Sequence, residues 1–191
     1  MEHTYANRRA SRVGTSYTHE EGARDVSGRA LAYGWAGIRI ALGIIFAWAF
    51  VDKVFGLGYS TPSERAWING GNPTAGYLGS SVGPFAGFFH AIAGDSAANV
   101  LFMFGLAAIG AALLAGVGVR IAGYAGALMM ALMYASHVPW AASGATNPLI
   151  DDHVVYAIAL LGLSFAHAGR TFGFGRAWSE SAPVRRFPLL E

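Results

Sequence analysis

The sequence predicts an all-α membrane fold: a polytopic four-helix bundle with an additional half-inserted or interfacial element on the outer side and both termini cytoplasmic. Three observations carry this prediction. Of the 191 residues 54% are hydrophobic and 13% charged, against about a quarter charged in soluble domains, and the mean hydropathy is +0.41. Across residues 96–138 the only ionisable groups apart from tyrosine are Arg120 and His137. The basic residues also fall on one side. With the N-terminus inside, Arg8, Arg9, Arg12, Arg24, Arg29, Arg120, Arg170, Arg176, Arg185 and Arg186 all face the cytoplasm. Only Lys53 and Arg65 face outward, which satisfies the positive-inside rule and predicts a multi-pass protein of the plasma membrane.

Residues 1–29 mix arginines with Glu2, Glu20, Glu21 and Asp25 and show no hydrophobic periodicity, so they read as a flexible cytoplasmic tail. The membrane domain occupies residues 30–176, with spans at about 34–51, 97–119, 121–138 and 153–168, and residues 177–191 form a second cytoplasmic tail. The fourth span is short for a hydrocarbon core about 30 Å thick, which a helix crosses with about 20 residues. Residues 73–94 lack Asp, Glu, Lys and Arg and are long enough for a further crossing. A crossing there would turn Arg120 and the arginine-rich C-terminus outward, so the reading is a broken element on the outer side, interrupted at Pro84. Gly79, Gly83 and Gly87 would share a face of any helix formed there, and Gly123 with Ala127 makes a similar small-residue pair for a contact within or between monomers.

The candidate chemistry gathers at polar residues beside apolar runs. Arg39 lies about five residues inside the first span, at a depth from which it either snorkels, bonds backbone carbonyls, or meets an anion, headgroup or quinone. Asp52 and Lys53 either end the first span or place a cation at the outer mouth, where Arg65 adds a second. Asp151 and Asp152 precede an apolar run in the position of helix caps, with His153 next to them as a group that titrates near neutrality. His90, His137, Asp95, Asn69, Asn72, Trp67, Tyr77 and Trp140 complete an outer polar set, although Trp and Tyr are expected at any membrane interface. A quinone head needs hydrogen-bond donors, a proton source and apolar walls, and Phe85, Phe88 and Phe89 are wall candidates. Neither metal nor haem is expected: there is no cysteine, no His-x-x-x-His and no Glu-x-x-His. A net charge of +2 without a basic-aromatic stripe argues against nucleic acid.

Several blocks resemble the DoxX/DoxD superfamily of small four-span membrane proteins. They are Arg39-Ile40-Ala41-Leu42-Gly43-Ile44-Ile45-Phe46 continuing to Asp52-Lys53, Trp67-Ile68-Asn69-Gly70-Gly71-Asn72-Pro73-Thr74-Ala75-Gly76-Tyr77-Leu78, Gly83-Pro84-Phe85-Ala86-Gly87-Phe88-Phe89, Asp151-Asp152-His153-Val154-Val155-Tyr156-Ala157 and Ala168-Gly169-Arg170. Within the superfamily the chain resembles the small quinone-reactive subunit of thiosulfate:quinone oxidoreductase. The resemblance implies oxidation of thiosulfate to tetrathionate with electrons passed to quinone, in company with a second oxidoreductase subunit. On that reading His153, His90 and Asp152 are the catalytic candidates, Arg39, Trp67, Asn72, Tyr77 and Phe88 contact quinone, and Lys53 and Arg65 draw in the anionic substrate. A non-catalytic membrane anchor or scaffold for a partner redox enzyme is the alternative, and a homo-oligomer is open under either. Carbonate washing without detergent is expected to leave the intact chain in the membrane pellet; its release into the supernatant would contradict the membrane assignment.

Overall fold

The computed structural model describes the backbone of residues 2–190 and the side chains of residues 26–190. Helix α1 (Glu2–Phe55) is followed by two 3₁₀ turns, Ser63–Arg65 and Trp67–Asn69, and by two short helices, α2 (Ala75–Gly79) and α3 (Ala86–Ile92). Three further apolar helices come next, α4 (Ser96–Ala115), α5 (Val119–Ser136) and α6 (Asp152–Leu163), and the chain closes with α7 (Gly175–Ser179) and α8 (Ala182–Arg186). The tail expected over residues 1–29 falls mostly on residues whose side chains lie outside the described set.

Three helices are long and apolar enough to cross a membrane: residues 26–55 of α1, α4 and α5. With α6 as a shorter apolar helix, the chain is an all-α, multi-pass membrane protein. At 12 residues, α6 reaches roughly 18 Å. It stops earlier than the apolar run suggested, because the chain leaves the helix after Leu163 and His167 adopts a left-handed conformation, φ 48°.

Local chemistry sets the helix ends. Asp95 caps α4 by accepting from the backbone N–H of Ala97 and Ala98 at 2.9 and 3.0 Å. Gly116, left-handed at φ 71°, ends α4 at Ala115, four residues before the expected limit. Gly118 then starts α5 at Val119, which puts Arg120 in the first turn of α5 instead of in a connecting loop. Asp151 caps α6 through the Val154 N–H at 3.3 Å.

Packing follows two helix pairs. α1 lies on α4, where a Cβ added at Gly110 would stand 2.7 Å from the Ala47 backbone nitrogen. α5 lies on α6, where a Cβ at Gly123 would stand 2.6 Å from the Leu160 carbonyl, so the Gly123 and Ala127 pair serves a contact inside the chain. Leu42, Phe46, Met103, Leu106, Leu113, Met130, Leu160 and Leu163 fill the core between the pairs. The α4–α5 seam is the looser of the neighbouring contacts.

Residues 73–94 form a broken element, as expected, but Gly79, Gly83 and Gly87 do not share a helical face. The helix is interrupted between Gly79 and Ala86, and Gly83 sits at φ 97° against Val138, where a Cβ has no room. Thr74 ties this element to α4, its N–H and hydroxyl both reaching Asn99 Oδ1 at 3.0 and 2.8 Å. Val82 ties it to α5, its N–H donating to the Ser136 carbonyl at 2.9 Å. These residues build a cap over one end of the bundle.

At the other end the Arg39 guanidinium is fully buried. Its Nη1 donates to the carbonyls of Leu113 and Leu114, and its Nη2 donates to those of Thr171 and Phe172, at 3.2 and 2.8 Å for the latter pair. One side chain therefore satisfies the open end of α4 and holds the segment after α6 against α1. Among the described residues this buried cation has no acidic partner, and carbonyl dipoles hold it. Arg39→Met is expected to lower the thermal midpoint in detergent, since leaving buried acceptors unpaired costs about 1–3 kcal/mol each. Arg39→Lys should fall between the two proteins, and an unchanged midpoint in Arg39→Met would show that the carbonyls find other partners.

Candidate functional site

The loose α4–α5 seam opens into a groove with a volume of about 1240 Å³. Phe102, Gly105, Ile109 and Ala112 line it from α4, and Ala122, Ala125, Met129 and Met133 from α5. Ala98 and Leu132 lie toward the cap and Ala112 and Gly118 toward the Arg39 end, so the groove follows nearly the whole of α4, roughly 30 Å. At Gly105 the Met129 side chain reaches across from α5 onto α4, its Cε lying where a Cβ would otherwise stand. Leu101, Phe104 and Leu128 are exposed along its rim, which leaves its side open to the apolar surroundings of the bundle.

The walls are apolar, but the cap end is not. Lys53, Ser60, Thr61, Arg65, Asn72, Thr74 and Tyr77 surround the mouth. Lys53 Nζ donates weakly to Ser60 Oγ at 3.4 Å. Asp52 is fully buried beside it, with its carboxylate accepting from the backbone N–H groups of Tyr59 and Ser60 and from the Ser60 hydroxyl at 2.7 Å. That carboxylate folds the loop after α1 and is engaged there. Arg65 is exposed, and its guanidinium makes no hydrogen bond or ion pair to another described residue.

Tyr77 connects the mouth to a polar cluster behind it. Its ring packs against the His137 imidazole with centroids 4.4 Å apart. Its hydroxyl donates to the Met133 carbonyl at 3.4 Å, and the Ser136 hydroxyl, which bonds the same carbonyl at 2.7 Å, is also within its reach. Ser136 Oγ stands 3.1 Å from His137 Nδ1, and Ser80 Oγ stands 3.4 Å from Nε2. Burial holds the Tyr77 phenol above its usual range, opposed by its bond to Ser136 and reinforced by Asp151 and Asp152, so it stays protonated. Burial also pushes His137 below the usual imidazole range, against the Ser80 bond and with help from His153, so it is neutral at pH 7.

Of the ten candidates, Lys53, Arg65, Asn72 and Tyr77 share the groove mouth. Asn72 is turned toward the cap itself, donating to the Gly94 carbonyl at 2.9 Å and accepting from the Ala75 N–H. Trp67 is half-buried and packs on the core beneath the cap. Phe88 is exposed and stacks edge-on with Phe89, which is the ring that lines the groove. Arg39 does not line the groove; it holds the carbonyls at the far end. His90 shares its Nε2 with the Ser81 carbonyl at 3.1 Å. His153 meets Asp151 Oδ2 at 2.8 Å and Asp152 Oδ1 at 3.5 Å, close enough to His137 to depress its protonation.

Asp151, Asp152 and His153 also bring three ligand atoms within 4.8 Å of one another, which are the groups on this surface that would hold a cation. Two of them already serve the start of α6, Asp151 as its cap and His153 as the partner of Asp151. Ser80 and Ser136 are the site residues that sequence reasoning passed over. Neither carries a local signal, since their contacts with Tyr77 and His137 form only after folding.

Comparisons with family models, with curated proteins and with solved structures find no match to this chain. The geometry alone supports a functional reading. Because His137 protonates less readily folded than unfolded, the unfolded chain binds more protons below the ordinary histidine range, so stability falls as pH drops from about 6.5. His137→Asn is expected to flatten the fall in thermal midpoint between pH 7 and pH 5; equal slopes in both proteins would show that this imidazole is not responsible.

Proposed function

We propose that this chain is the membrane subunit of a quinone-linked oxidoreductase and that a quinone lies in the α4–α5 groove, tail along the helices and head at the capped mouth. The observation that supports this most directly is a long apolar groove whose single polar end carries hydrogen-bond donors. A shape of that kind suits an amphiphile with a small acceptor head and a long tail. Bound quinone supplies the electron-accepting chemistry. The chain's own part is to receive the tail along Ala108 and Ala125, to present Tyr77 to the head, and to place Lys53 and Arg65 where an anionic substrate approaches.

The resemblance to the small subunit of thiosulfate:quinone oxidoreductase gives the specific form of the proposal. Two thiosulfates join through a new S–S bond to give tetrathionate, and the two electrons released, with two protons, convert quinone to quinol. The chain has no cysteine to carry a sulfur intermediate, so a second subunit brings the sulfur site. On this reading α6 is the fourth span, the termini are cytoplasmic, and the cap faces outward, where thiosulfate would arrive. A second reading, a non-catalytic anchor for a partner enzyme, draws on the cap surface, where Tyr59, Ile68, Phe85 and Phe88 are exposed together with Trp140.

Binding of decyl-ubiquinone to purified protein in zwitterionic nanodiscs separates the two. The wild type is expected to bind saturably and Ala125→Trp, which fills the groove from an exposed position, to bind at least about tenfold more weakly. Absence of saturable binding by the wild type, or equal binding by both proteins, would remove the quinone reading and leave the anchor.

A further inference from the structure

The cap end of the groove offers donors, while the Asp52 carboxylate beside it is engaged by Tyr59 and Ser60, and this bears on what the head of the ligand must be. Tyr77 lines the mouth and stays protonated, and its present acceptor, the Met133 carbonyl, is 3.4 Å away, at the outer limit of a hydrogen bond. The same carbonyl already receives the much shorter bond from Ser136, at 2.7 Å. The Tyr77 hydroxyl is therefore held to Met133 only at the limit of a hydrogen bond and is free to turn to a new acceptor. Behind it the hydroxyl of Ser136 joins the phenol to Nδ1 of His137. The aspartates near this cluster are committed elsewhere, Asp151 to the N-terminus of α6 and to His153. Lys53 and Arg65 add positive charge at the mouth.

We propose that Tyr77, Ser136 and His137 form the head-recognition point of the groove, with the Tyr77 hydroxyl donating to a ligand carbonyl and the Ser136–His137 pair setting its direction. The inference rests on the quinone reading above and deepens it by assigning the contact that selects the head. When a carbonyl enters, the Tyr77 proton leaves Met133 for the ligand, and Ser136 keeps Met133 satisfied, so no buried acceptor is orphaned. Tyr77 is here a binding residue, while Ser136 and His137 are positioning residues acting through it. His90 and Arg39 take no part: the first is bonded to Ser81 and the second lies at the opposite end.

The test uses the full chain in zwitterionic nanodiscs with two probes of similar tail, decyl-ubiquinone and undecylbenzene, the second lacking a carbonyl. Tyr77→Phe keeps the ring against His137 and removes only the hydroxyl. It is expected to weaken decyl-ubiquinone about threefold to tenfold, the worth of one hydrogen bond, and to leave undecylbenzene unchanged. Ser136→Ala is expected to weaken the quinone by a smaller factor, again without moving the carbonyl-free probe, and an azido-quinone should photolabel residues 75–79 or 133–137. If Ala125→Trp abolishes quinone binding while Tyr77→Phe and Ser136→Ala both retain wild-type affinity, the recognition point is wrong and the groove stands. Loss of both probes equally in Tyr77→Phe, at an unchanged thermal midpoint, would also overturn it, since the hydroxyl would then be shaping the groove and not reading the head. Quinone binding that Ala125→Trp does not touch would remove the groove and the recognition point together.

Discussion

The arrangement depends on one buried cation. Arg39 spends its terminal nitrogens on four backbone carbonyls, two at the end of α4 and two in the segment after α6. In a chain with so few charges a guanidinium in this position is tolerable only because carbonyl dipoles replace water around it. It fastens α1, α4 and the C-terminal segment at one end. Among the described residues no comparable side-chain bond crosses between α4 and α5 in the middle of the bundle. Small residues bring α1 onto α4 and α5 onto α6, and the seam between the pairs carries Met129 across Gly105 with small Ala108 and Ala125 along the groove beside it.

The other end is held differently. Thr74 with Asn99, Val82 with Ser136, and Asp52 with Ser60 fix a cap of irregular chain whose backbone groups find partners in the protein, as they must where water is scarce. The cap closes the groove on one side of its mouth and supplies its polar groups. Fold and proposed site thus meet in the same residues: the chain that satisfies its own backbone above α4 and α5 also places Tyr77 at the mouth of the groove.

Much of the fold was legible in the sequence because its causes are local. Apolar runs without charge gave the long helices, and Asp151 was readable as a cap. The short α6 was visible as a length deficit, though the left-handed His167 that ends the segment was not. Arg39 was read as a residue that bonds carbonyls or meets a ligand, and the structure shows the carbonyls. The groove was not legible, since a missing contact between α4 and α5 leaves no periodic pattern. Nor was the Tyr77–Ser136–His137 cluster, whose members lie 59 and 60 positions apart from the tyrosine and become neighbours only when Val82 pairs with Ser136. Lys53, Arg65, Asn72 and Tyr77 were each identifiable alone, but their common mouth is a product of the cap.

The central claim is that the α4–α5 seam is an open, ligand-bearing groove in a bundle pinned at its ends. An experimental structure of the full chain grown from a lipidic mesophase doped with decyl-ubiquinone tests it most directly. The account predicts elongated density along Ala108 and Ala125 with a planar head beside Tyr77. A groove filled by side chains along Ala108 and Ala125, with no room for a tail, would contradict it.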